Sequence, residues 1–242
     1  MSWMSARSSA KGGDVVPLRA LDAAAVHPTD DRAVSRLVQL LMDIGVDGVG
    51  PLKSATEYAE DARSATRTTE AAVSKVARTT VVRGAVGGFV TSVGGFVTMP
   101  VALPLNVAEF YVQATRMVAT IAILRGYDIQ DPHVRTAVLL TLVGSDADEV
   151  LAKAGLATGT GRMVSLASKQ LPPAGLLILN KAIAFRLLRG VGEQAFAKLG
   201  RGVPLLGGLV GGGIDTWMMK RIADHALGEF PERGRVDPAK RG

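Results

Sequence analysis

Hydrophobic positions along the 242-residue chain recur mostly at helical spacing. In DDRAVSRLVQLLMDIG, Val34, Leu37, Leu40 and Leu41 fall at i, i+3, i+6 and i+7 and make one apolar helix face. Asp30 and Asp31 open that helix and Gly45 is the expected stop. A Gly/Pro turn follows, and then Ala-rich, charged sequence up to Arg83 that reads as a solvated helix or helix pair. Beyond residue 104, LNVAEFYVQATRMVATIAILRGYD is apolar on most faces and predicts a central helix. In DPHVRTAVLLTLVG, Asp131 is the expected N-cap, Pro132 the first helical residue, and Val134, Val138 and Leu142 share a face. SDADEVLAKAG offers Ser145 and Asp148 as an acidic capping box closed by Gly155, and three further helical stretches run from residue 171 to 230. No run of alternating strand positions occurs, so the expected fold is all-α, a single multi-helix domain.

Between Arg83 and Glu109 lie 25 residues without charge. The pentad GGFVT occurs there twice, at a spacing of seven. The length suggests a membrane span, but Pro100 and Pro104 leave 16 residues before the first break, five of them Gly, against about 20 needed to cross. A simple single-pass helix is therefore not expected. A phosphate loop is not expected either, because it requires Gly-x-x-x-x-Gly-Lys-Ser/Thr and no glycine cluster supplies it; GLATGTGR at residues 155–162 has the wrong spacing. Seven residues are almost two helical turns, so both Gly-Gly pairs fall near one helix face. Gly84 with Gly88, Gly207 with Gly211, and Gly208 with Gly212 repeat the four-residue spacing that lets helix backbones approach closely. The reading is of Gly-rich apolar helical hairpins with closely packed glycine faces.

Charge changes this picture in one place. The chain carries a net +6, and residues 162–201 hold seven basic side chains and one acid, Glu193, a local balance that equals the whole excess. Such a segment suits anionic head groups. With aromatic residues at 5%, a stacking surface for single-stranded nucleic acid is not expected. The absence of cysteine excludes disulfides, thiol nucleophiles and thiolate metal sites, and fits a cytoplasmic chain. The opening residues show no secretory signal. Residues 1–32 read as a mobile arm, 33–230 as the helical domain and 231–242 as a charged tail.

GPLKSA at residues 50–55, then GGFVTSVGGFVTMPVALPLNVAEFYVQATRMVATIAILRGYDIQDPHVRT at 87–136, then VPLLGGLVGGGID at 203–215, resemble the EcsC family of bacterial proteins. The resemblance covers roughly residues 45–230. It implies a helical protein of a family named for a gene product encoded beside an ABC transporter, and it brings no catalytic residues to carry over.

Candidate chemistry is sparse. Glu109, Gln113 and Arg116 fall at i, i+4 and i+7 on the apolar helix and would be costly to bury unpaired. They are either the polar floor of a lipid or small-molecule pocket, with Asp128, Lys181 and Asp215 as further lining, or internal pairs such as Glu109/Arg116 and Arg116/Asp128. Asp215 reads as the start of a helix, where it either caps or holds a head group or cation. Lys181 beside an apolar run reads as a snorkelling lysine. His27, His133 and His225 show no metal-ligand spacing and no Gly-x-Ser-x-Gly is present, so no metal, cofactor or catalytic residue is expected.

The resulting expectation is a non-enzymatic, lipid-binding helical protein, cytoplasmic and peripheral to or partly inserted in the inner face of the cell membrane. Phe89, Val93, Phe96 and Val97 would contact lipid tails, and Arg162, Lys169, Arg186 and Arg189 anionic lipid head groups. The alternative is a soluble interaction module with a transporter-associated protein partner. An enzyme built on Glu109, Arg116 and Asp128 is the third reading, and nucleic acid is not an expected partner.

Overall fold

A computed structural model describes residues 38–39, 41–50, 52–93, 99–144, 147, 150–151, 175, 178–183, 186–187 and 204–233, with only the backbone for 83–93, 99–108, 204–212 and 214. Among the described residues the structure is helical and has no strand, apart from one isolated bridge between Val49 and Leu52. The proposed arm at 1–32, most of the tail, the Ser145 cap with its Gly155 stop, and most of the basic segment lie outside the described residues.

The order of elements is a π-helix Leu41–Asp47, α1 Ala55–Ser64, α2 Thr69–Val93, α3 Met99–Leu124, α4 Pro132–Val143 and α5 Pro204–Glu229. The first differs from the sequence expectation. Gly45 does not end a helix; it is buried inside the π-helix, and the chain turns at Gly48, whose φ of 77° a side chain would strain. Gly45 has a different task. A Cβ there would meet Thr115 Cβ at 2.8 Å, so only glycine lets the π-helix lie this close to α3.

α1 starts where Ser54 accepts a hydrogen bond from the backbone N–H of Glu57, while the Glu57 carboxylate accepts from the Ser54 N–H at 2.7 Å. This reciprocal cap satisfies two donors that a helix start leaves open. Ala55, Ala59 and Ala62 are its buried face. Their small size lets α1 cross α3 closely enough for Thr120 to donate to the Ala55 carbonyl at 3.3 Å and Arg63 to that of Ile123 at 2.9 Å. α2 is the second helix of the expected pair and buries Ala72, Val73 and Val76.

α3 is the centre, as its apolar composition predicts. From Tyr111 to Leu124 nearly every side chain is buried, and the π-helix, α1, α2, α4 and α5 all pack on it. Burying residues such as Met117, Ile121, Leu139 and Leu140 contributes about 1.5–3 kcal/mol each. Two core threonines return their hydroxyls to the preceding turn, Thr115 to Tyr111 O at 2.7 Å and Thr141 to Ala137 O at 2.9 Å. No polar atom of theirs is left orphaned.

The prolines do not break α3. The helix begins at Met99, so Pro100 falls in the first turn, where a missing N–H costs nothing. Pro104 deletes only the bond its nitrogen would make to the carbonyl of Pro100. α4 follows the expected design, with Asp131 accepting from His133 N–H at 2.8 Å and Val134, Val138 and Leu142 buried. α5 runs unbroken through the five glycines ahead of Asp215. Asp215 is therefore not a cap; it sits in mid-helix, buried, because the uncharged run ahead of it is itself helical.

Candidate functional site

One guanidinium organises an end of the bundle. Arg125, just past the last residue of α3, donates through Nη1 to the carbonyls of Leu227 and Phe230, both at 2.7 Å, and through Nη2 to both oxygens of Glu70 at 3.1 Å. A helix C-terminus leaves carbonyls without partners, and Arg125 satisfies two such groups at the end of α5. The chain then folds back over it. Arg233 N–H donates to Arg125 O at 3.0 Å, Tyr127 donates to Pro231 O at 3.1 Å, and the Phe230 and Tyr127 rings meet edge to face.

These contacts fix the direction of the three long helices. α2 begins where α3 and α5 end. Since α2 packs along both, it runs antiparallel to each, and the far ends of all three lie at the opposite pole. The sequence at those far ends has one property in common. Residues 84–93 of α2, 99–108 of α3 and 204–214 of α5 contain no charged side chain, whereas the rest of each helix holds Glu70, Lys75, Arg78 and Arg83, or Glu109 and Arg116, or Asp215, Lys220, Arg221, Asp224 and Glu229.

The boundary is nearly level. At 1.5 Å per residue, the outermost charges Arg83, Glu109 and Asp215 stand about 20, 24 and 18 Å from the Arg125 end. They agree within roughly one to two helical turns. Each charge-free end extends about 15 Å further, half of the 30 Å hydrocarbon layer of a bilayer. Among the described residues, no helix is long and apolar enough to cross a membrane.

The six candidate pocket residues divide by place. Glu109 is exposed and accepts a hydrogen bond from Gln113 Nε2 at 2.9 Å. Arg116 turns the other way and is buried; it donates from Nη2 to Ile44 O in the π-helix at 3.0 Å, with its guanidinium carbon 5.4 Å from the centre of the Tyr58 ring. Neither expected ion pair forms. Asp128 is exposed, three residues beyond Arg125, and its carboxylate closes a local turn by accepting from Gln130 N–H at 2.9 Å. Twelve residues of α3 and its turn separate it from Arg116, so the polar floor expected of Glu109, Arg116 and Asp128 is not assembled. Lys181 is exposed, as snorkelling predicts, on a helical stretch at residues 178–183, and Asp215 is buried in α5.

Of the lipid-contact candidates, Phe89 and Val93 lie in the charge-free end of α2, their side chains undescribed, and Arg186 is half-buried. Phe96, Val97, Arg162, Lys169 and Arg189 lie outside the described residues. The helices that carry the two glycine clusters, α2 and α5, form the most extensive helix pair. Contacts at the paired glycines Gly84, Gly88, Gly207, Gly208, Gly211 and Gly212 fall outside the described side chains, and at Gly213 an added Cβ would meet nothing within 4 Å.

Comparison with known families agrees with the pattern of residues and the all-helical architecture. The model of the EcsC protein family matches residues 32–233. The chain belongs to the EcsC protein family. A comparison with curated proteins and another with solved structures gave no match.

Within this EcsC-family chain, sequence reasoning passed over the Arg125 clamp. Its signal was present: an arginine followed by Gly126 at the end of a long apolar helix, with Glu70 just inside another helix start. It also passed over Trp217 and Arg221, which lie at i and i+4 on the exposed side of α5, with the guanidinium carbon 4.9 Å from the ring centre. Among the described residues there is no cluster of histidine and carboxylate side chains able to hold a metal.

Proposed function

We propose that this protein is a non-enzymatic, membrane-associated helical protein that binds lipid through the charge-free pole of its bundle. The reading is supported by the charge-free ends of three helices, residues 84–93, 99–108 and 204–214, which antiparallel packing directs toward one pole, with every charge of the same helices nearer the Arg125 end. Single apolar helix ends are ordinary; three in register are an amphipathic body rather than an amphipathic helix. Inserted to a depth of about 15 Å, such a body would occupy one leaflet and leave the charged half in water. The basic segment at 162–201 supplies the complement to anionic head groups on a cytoplasmic leaflet.

The test is flotation of detergent-free protein with neutral and with anionic liposomes at low and high salt, followed by mass spectrometry of retained lipid. Co-flotation that survives salt on neutral liposomes supports insertion of the apolar pole. Extra, salt-sensitive binding to anionic liposomes assigns a contribution to the basic segment. A chain that never floats and retains no lipid removes the reading in favour of a soluble interaction module, in which the same pole packs against a transporter-associated protein.

A further inference from the structure

The membrane reading leaves open how a body without a spanning helix would fix its depth. Proteins that sit in one leaflet use aromatic side chains at the level of the head groups, where an indole finds both an apolar and a wet neighbour. α5 carries one at the required height. Trp217 follows the end of the charge-free run at Ile214 by three residues, about 4.5 Å along the axis. It is 56% exposed, which is unusual for the largest apolar side chain on a helix that buries Met219, Ile222, Ala223 and Ala226 on its other side.

The surroundings of that ring favour phosphate. The Arg221 guanidinium stacks on it at 4.9 Å, one turn further from the pole. Lys220 is already neutralised by Asp224 at 2.7 Å, but Arg221 has no carboxylate partner among the described residues. Stacking holds the guanidinium plane in place while its N–H edge stays available, the geometry in which arginine binds a phosphate in bidentate fashion. On the antiparallel neighbour α2, Val82, 55% exposed, immediately precedes the outermost charge Arg83. An exposed apolar residue and an exposed aromatic thus mark the same boundary on adjacent helices.

We infer that Trp217 and Arg221 form an interfacial anchor, the indole lying at the acyl boundary of a bilayer and the guanidinium binding a lipid phosphate. The inference rests on the membrane reading and assigns it a residue pair and a depth. The chain has two tryptophans, Trp3 and Trp217, so the full-length Trp3→Phe variant reports on Trp217 alone.

Its emission is recorded with vesicles of phosphatidylcholine, with and without phosphatidylglycerol, beside flotation of the same samples. The expected result is a blue shift, protection from iodide, and quenching by lipids brominated near the glycerol end of the acyl chain. Inorganic phosphate without vesicles leaves the spectrum unchanged. Arg221→Gln, a substitution at an exposed position, weakens binding to anionic vesicles roughly fivefold, and Arg221→Lys recovers part of it. Flotation with no change in Trp217 emission or iodide access overturns the anchor and leaves the membrane reading standing, with Trp217 reassigned to a protein contact. Failure to float overturns both.

Discussion

Two glycines in helical backbone should respond to the same substitution with opposite sign. At Gly45 an added Cβ would lie 2.8 Å from Thr115 Cβ, 2.9 Å from Thr115 Cγ2 and 3.2 Å from the Val112 carbonyl oxygen. Favourable carbon contacts begin near 3.5 Å, so the π-helix must withdraw from α3 by about 0.7 Å. Thr115 cannot swing aside, because it is fully buried and its hydroxyl is held by Tyr111 O at 2.7 Å. Overpacking of this kind costs about 1–3 kcal/mol. Replacing glycine at an ordinary φ returns about 0.4–1 kcal/mol through the unfolded chain. The net expectation for Gly45→Ala is a loss of about 1–2 kcal/mol, or roughly 2–8 °C in Tm for a chain of this length. At Gly213, in α5, an added Cβ meets nothing within 4 Å, and Gly213→Ala should stabilise by about 0.4–1 kcal/mol. Thermal and urea unfolding followed by far-ultraviolet circular dichroism measures both. Thr115→Ala in the Gly45→Ala background should recover part of the loss by removing Cγ2, though not the contact at Cβ. A Gly45→Ala protein as stable as the parent would refute the close-approach argument, as would a Gly213→Ala protein destabilised to the same degree.

Arg125→Met should cost about 3–5 kcal/mol in urea unfolding, since it strands the Leu227 and Phe230 carbonyls, while the half-exposed Glu70 pair adds little. Arg125→Lys should recover less than half, as one ammonium cannot span both carbonyls and the carboxylate; full recovery would contradict the role given to the two guanidinium nitrogens. Ser54→Ala should lower stability by about 1 kcal/mol at neutral pH. The backbone N–H of Ser54, and then its hydroxyl, hold the Glu57 carboxyl below its ordinary pKa, so its contribution is complete above the unfolded value and is lost as pH falls through the folded one. The stability gap between the parent and Glu57→Ala should therefore close in acid, and a gap independent of pH would show that the carboxylate does not act. Burial raises the Tyr127 hydroxyl above its ordinary pKa, against a smaller opposing effect of Arg233. The unfolded chain then ionises first, and stability is retained below about pH 10 and lost as pH rises through the folded value. Tyr127→Phe should abolish that alkaline loss in pH-dependent melts.

The helical class, the Asp131 cap, the buried row Val134, Val138 and Leu142, and the central role of α3 were legible along the chain, because each depends on neighbours within two turns. Local rules also misled. Gly45 reads as a helix stop, and its actual role depends on Thr115, 70 residues away in sequence. Asp215 reads as a cap because glycine-rich sequence lowers helix propensity by up to about 1 kcal/mol per residue, a deficit that packing of α5 along α2 overrides. Arg116 and Asp128 look like ion-pair partners on a helical wheel, yet one turns to the π-helix carbonyl and the other closes its own turn.

By itself, then, the sequence determined the helical class and where each helix loses its charge, since composition and periodicity are local properties. Only the tertiary structure decided that the three charge-free ends meet at one pole. That alignment depends on the antiparallel order imposed by the short α2–α3 connection and by Arg125, whose four hydrogen bonds join the start of α2, the end of α3 and the end of α5. Contacts between residues about 55 and 105 positions apart set it, and no periodicity within a single helix encodes them.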